Sequence, residues 1–122
     1  MDREQAFNSF WNSFEVPAYD TNTVPDNATF PRITYNVVVN DFGTPTSVLA
    51  SIWDKNTGWK RITGVADKIN SRLSEGGQTV LFDDGMIWIK KGNPFLQRMG
   101  DPDDTIRRIV VTIELEYLEG KR

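Results

Sequence analysis

Residues 106–117, Ile106-Arg107-Arg108-Ile109-Val110-Val111-Thr112-Ile113-Glu114-Leu115-Glu116-Tyr117, alternate with a period of two. Ile109, Val111, Ile113, Leu115 and Tyr117 fall on one face, and Arg108, Thr112, Glu114 and Glu116 on the other. Successive side chains of a strand point to opposite faces, so this pattern predicts a long strand with one face on a core and one facing outward. Asp83-Asp84-Gly85 lies just upstream, between the apolar runs 79–82 and 86–90. An Asp-Gly pair between two such runs is the strongest local hairpin signal in the chain. The C-terminal third therefore reads as three antiparallel strands.

Further upstream the period changes. Trp59, Ile62, Val65 or Ala66, Ile69 and Leu73 recur at helical spacing, which predicts an amphipathic helix. Asn56 or Thr57 is its expected N-cap. Gly76-Gly77 is its expected stop, because glycine accepts the left-handed backbone of a C-cap. Gly64 inside this helix marks a candidate point of close packing. Residues 33–40 alternate, with Ile33, Tyr35, Val37 and Val39 opposite Thr34, Asn36 and Asn40. They pair with a strand at 47–54 across the turn Asp41-Phe42-Gly43-Thr44-Pro45 as an expected hairpin. At the N-terminus, Phe7, Phe10, Trp11 and Phe14 stand at i, i+3, i+4 and i+7, a helix over 3–14 that Pro17 stops. The Pro-, Asx- and Thr-rich stretch 17–31 reads as an irregular loop, long for a connection and hence functional or packed on a neighbour.

The expected order is α-β-β-α-β-β-β. This is an α+β fold in which two helices cover one face of a mainly antiparallel sheet of about five strands. All 122 residues read as a single domain.

Composition removes several chemistries. The chain contains no Cys and no His. Thiolate metal sites, disulfides and His-based triads are excluded, and with them the commonest general base. The formal charge of −3 disfavours tight tracking of nucleic acid, which needs clustered cations. There is no phosphate-cradling glycine loop. The start of the sequence has no signal-peptide pattern and no apolar run is long enough to span a membrane, so the expectation is a soluble chain made in the cytoplasm. No catalytic residue, metal ligand or cofactor site is assigned. The acidic cluster Asp101, Asp103 and Asp104 could offer oxygen ligands to a hard cation. It lacks the EF-hand spacing and reads better as a turn.

One stretch interleaves charges with apolar groups. Lys90, Lys91, Phe95, Arg98, Asp101, Asp103, Asp104, Arg107 and Arg108 lie in 19 residues that also hold Leu96 and Met99. The alternating signs suggest ion pairs, within the chain or across a subunit contact, where charge complementarity fixes register. Aromatic and Arg residues in the 92–100 loop have the character of interface anchors. These nine residues are the candidate subunit-interface residues.

The segment 86–99, Met-Ile-Trp-Ile-Lys-Lys-Gly-Asn-Pro-Phe-Leu-Gln-Arg-Met, runs into Asp101-Pro102-Asp103-Asp104-Thr105-Ile106-Arg107-Arg108-Ile109. Together with residues 10–19 and with Val24-Pro25 and Phe30–Tyr35, it resembles small proteins of tailed phages and prophages of Gram-positive bacteria. These are the tail terminators and minor capsid-type proteins of the head–tail junction. The resemblance implies a virion protein that forms a ring, typically a hexamer. Such a ring caps the tail tube and presents a surface to the head connector. The implied partners are the chain itself, the tail tube protein and the connector or neck protein, with DNA passing through the lumen without specific binding and no membrane contact. The implied location is the head–tail junction, with assembly in the host cytoplasm. A head-closure or tail-completion role, and outside the family a monomeric module holding a small ligand or peptide, are the alternatives. An acidic subunit suits a conduit for DNA better than a grip on it.

Overall fold

The computed structural model describes residues 1–38 and 41–120. Two helices, α1 (Arg3–Asn12) and α2 (Lys60–Arg72), accompany six strands. The strands are β1 (Ala18–Asp20), β2 (Arg32–Tyr35), β3 (Thr46–Lys55), β4 (Gln78–Phe82), β5 (Gly85–Met99) and β6 (Ile106–Glu119). They form one sheet in the order β1-β2-β3-β6-β5-β4. All neighbours are antiparallel except β1 and β2. The fold is α+β, with one strand more than the sequence suggests.

β6 is the spine of the sheet. Its alternation places Val111, Ile113, Leu115 and Tyr117 in the core, each at most 1 % exposed. β3 lies on one side with Val48 opposite Ile113 and Ala50 opposite Val111. β5 lies on the other with Ile87 opposite Tyr117 and Ile89 opposite Leu115. α2 packs over β3 and β6 with Ile62, Val65, Ala66 and Ile69. α1 contacts β1 and β4, the two edge strands. The sheet is therefore curled, and α1 fills the gap between its edges.

The filling of α1 is aromatic. Phe7, Phe10, Trp11 and Phe14 are all at most 3 % exposed. Phe7 meets the Tyr35 ring edge-on at 5.4 Å, and Trp11 stacks on it at 6.2 Å. Such ring pairs add stability beyond their burial. An Asp2–Gln5 capping box opens α1, so that orphan amides of its first turn are satisfied. Where α1 ends, Lys68 pairs with Glu15 and Arg72 donates to the Ser13 hydroxyl at 3.0 Å, which ties α1 to α2. A further tie holds α2 to the sheet: Arg61 closes a two-pronged bond on the carboxylate of Asp54, which is fully buried.

Several expectations are corrected. The stretch 17–31 is not wholly irregular: β1 pairs in parallel with β2, Ala18 opposite Ile33, and a 3-10 turn follows at Thr21–Thr23. β2 ends at Tyr35, and the expected strand residues Val39 and Asn40 lie outside the described residues. α1 stops at Asn12, although Phe14 remains buried. α2 begins at Lys60 with Trp59 as its N-cap, which makes no side-chain cap. Asn56 and Thr57 serve elsewhere: the Asn56 side chain accepts from the Gly58 amide and the Thr57 carbonyl from Arg107. Trp59 is consequently half-buried rather than part of the core stripe. A Cβ on Gly64 would meet nothing within 4 Å, so no close packing requires that glycine.

Two core tyrosines predict the alkaline behaviour. Burial first of all raises the phenols of Tyr35 and Tyr117 above their ordinary value. Tyr35 accepts from Asn8 at 2.6 Å, and Tyr117 donates to the Val38 carbonyl at 2.6 Å. The folded state thus retains protons that the unfolded chain releases. Stability from these groups is complete below pH about 10 and is lost as pH rises through the folded values. Urea midpoints should fall above pH about 10, and Tyr117→Phe should flatten that fall.

Candidate functional site

The nine candidate interface residues do not form one patch. Odd-numbered residues of β6 share the helix-covered face and even-numbered residues the open face. Arg107 therefore lies on the helix side and Arg108 on the open side. Lys90, opposite Glu114, also lies on the open face, with its ammonium 4.2 Å from the centre of the Trp88 ring.

The structure brings together Arg98, Arg107 and Trp59. The Arg98 and Arg107 guanidinium carbons stand 4.6 Å and 5.5 Å from the centre of the indole. Arg107 is further held by three carbonyls, those of Thr57, Asp104 and Ile106. Arg98 is exposed and, apart from the ring, reaches outward. Lys91 is exposed and donates to Ser74 at 3.3 Å, with its ammonium 5.3 Å from the Phe95 ring. Phe95 and Leu96 are half-buried against the core, while Met99 is 42 % exposed.

The segment 92–99 is strand rather than loop. β5 continues along β6 with Leu96, Gln97, Arg98 and Met99 opposite Val111, Val110, Ile109 and Arg108. A register shift between Lys91 and Leu96 absorbs Gly92, Asn93, Pro94 and Phe95. Such a bulge breaks the two-residue period, which is why the sequence hides this half of the strand. β4 pairs only with Gly85–Ile89, so beyond that point β5 is paired to β6 alone among the described strands.

The acidic residues organise a turn. The Asp101 carboxylate accepts from the Asp103 amide at 2.9 Å. The Asp103 carboxylate accepts from the hydroxyl and the amide of Thr105, at 2.7 and 2.9 Å, and these bonds hold it below its ordinary pKa. Asp104 gives its carbonyl to Arg107. Among the described residues no ion pair forms within this stretch; carbonyl and ring contacts hold the guanidiniums of Arg98 and Arg107 instead, and pairing across a subunit contact stays an expectation. Among the described residues no group of three or more acidic side chains converges as a metal site. No described helix is long and apolar enough to cross a membrane.

The open face holds a constellation that the sequence reading missed. Arg32, Trp53 and Arg108 stand side by side on β2, β3 and β6. Thr34, Ser51 and Val110 form the next row. The only signals for it were the polar sides of the 33–40 and 106–117 alternations, which carry Thr34 and Arg108. No family model and no curated protein matches the chain.

Proposed function

We propose that this protein is a ring-forming virion subunit, a tail terminator that closes the tail tube and joins it to the head connector, and that it is not an enzyme. The observation that carries the reading is the second half of β5. It presents one edge unpaired among the described residues, an exposed guanidinium at Arg98 and an exposed thioether at Met99. An unpaired edge with apolar and Arg anchors is a natural half of a head-to-tail contact. Pro94 keeps the edge from templating strand after strand. Support also comes from the sequence resemblance, from the arrangement of two helices on a mainly antiparallel sheet, and from the acidic balance, which suits a conduit for DNA. The partners in this reading are neighbouring copies, the tail tube and the connector.

Arg98→Glu tests it. The variant should lose no more than about 1 kcal/mol in the isolated subunit, because it forfeits one exposed cation–π contact. It should nonetheless weaken ring formation or attachment to tubes, since a like-charge contact across an interface costs several kcal/mol. Mass measurement in solution and electron microscopy of assembled tails read the outcome. Rings of normal mass and tails of normal length from Arg98→Glu and from Lys91→Glu would overturn the assignment.

A further inference from the structure

On the open sheet face, a cavity of about 110 Å³ is lined by Thr21, Thr34, Asn36, Ser51, Trp53 and Arg108, with Leu49 and Ala50. Its donors are held in a particular way. The Trp53 indole N–H donates to the Thr34 hydroxyl at 2.9 Å, and the Arg108 Nε–H donates to the Ser51 hydroxyl at 3.1 Å. Each hydroxyl is thereby fixed as an acceptor and keeps its own proton to give. Neither proton goes to a described residue, although Thr34 and Ser51 are only 9 % and 6 % exposed. Each hydroxyl already has one partner as an acceptor, and its proton is the half of its hydrogen-bonding capacity left for a ligand.

Arg108 is equally oriented. Its guanidinium lies 4.6 Å from the centre of the Trp53 ring and is anchored only through Nε. Nη1 and Nη2 have no partner among the described residues, and together they form the planar fork that matches a two-oxygen anion. Arg32, on the other side of Trp53, is not part of the cavity: its guanidinium lies 4.2 Å from the centre of the Phe30 ring and donates to the Ala28 carbonyl. No carboxylate lines the cavity. Asp20 follows Tyr19, whose partner is Thr34, and so belongs to the opposite face. The cavity offers two hydroxyl protons, a guanidinium fork and the Asn36 side-chain amide at its lining; Thr21 contributes no donor, because its hydroxyl already donates to the Tyr35 carbonyl.

We propose that this cavity is a binding site for a single oxyanion, a carboxylate or a phosphate, held by the Arg108 fork and the hydroxyls of Thr34 and Ser51. The small volume admits one such group and no more. Leu49, 48 % exposed at the rim, gives an apolar seat to whatever carries it. The site does not depend on the assembly reading, since it lies on the other face of the sheet from Arg98.

The test is a titration of the intact chain followed by NMR of the Trp53 indole N–H, assigned with Trp53→Phe. The probes are inorganic phosphate and N-acetylglutamate N-methylamide, at constant ionic strength. A saturable shift with either probe is expected, and the tighter of the two names the source of the oxyanion. Arg108→Gln should weaken binding about tenfold or more, and Ser51→Ala by a smaller factor, as expected for losing a charged and a neutral partner. Lys60→Gln, an exposed change of equal charge on α2, should leave the affinity unchanged. If no shift saturates with either probe, the cavity holds water only and the proposal fails. It also fails if Arg108→Gln binds as tightly as the parent chain.

Discussion

Replacing Trp11 with alanine should lower the unfolding free energy by about 3–5 kcal/mol, the range for large aromatic truncations in a core. Trp11 is 0 % exposed and touches Phe7, Phe10, Phe14 and Tyr35. It sits where α1 bridges the two edges of the curled sheet, so its loss opens a cavity that neither edge can close alone. The indole Nε1–H of Trp11 has no hydrogen-bond partner among the described residues. Trp11→Phe therefore removes no hydrogen bond and should retain more than half of the stability that Trp11→Ala loses. Urea unfolding followed by circular dichroism distinguishes the two. Equal losses from both would mean that the indole makes a bond beyond the described contacts.

Gly77→Ala should cost about 2–5 kcal/mol, combining left-handed strain with overpacking. Gly77 has φ of +88°, which an L side chain adopts only with strain. A Cβ there would also lie 2.1 Å from the carbonyl oxygen of Ile89. That carbonyl cannot retreat, because Ile89 is 0 % exposed and is paired between Gln78 and Leu115. Gly76 provides the comparison: its φ is +93°, yet its Cβ would meet nothing within 4 Å. Gly76→Ala should therefore cost only the strain, about 1–2 kcal/mol. The difference between the two variants measures the close approach of the turn to β5, and equal costs would show that this approach relaxes.

The nine interface candidates illustrate how far a linear reading reaches. Their chemistry was legible, but their distribution was not. Arg107 and Arg108 are adjacent in sequence and end on opposite faces of the sheet. Arg98 and Trp59 are far apart in sequence and meet over one ring. The oxyanion cavity was hidden for a related reason. Thr34 and Asn36 read as the polar side of a strand, and Ser51 carried no signal at all. They acquire chemistry only when β2, β3 and β6 align in register, which places the Arg108 guanidinium over Trp53 and its Nε–H on Ser51.

Elements with a local signal are readable from the chain alone: the aromatic stripe of α1, the apolar stripe of α2, the Asp-Gly hairpin and the buried face of β6. In each, the periodicity of the side chains coincides with the geometry of the element, so no distant partner is needed to recognise it. The remaining features arise from contacts between distant segments. β1 is three residues long and exists because β2 pairs with it, an alignment continued by the Ile33 amide donating to the Pro17 carbonyl. The outer half of β5 is strand because β6 extends alongside it past a bulge. The curl of the sheet depends on α1 being bulky enough to hold both edges. A strand's hydrogen bonds belong to its neighbour, and its polar face belongs to whatever lies across the sheet, so neither can be read from one segment alone.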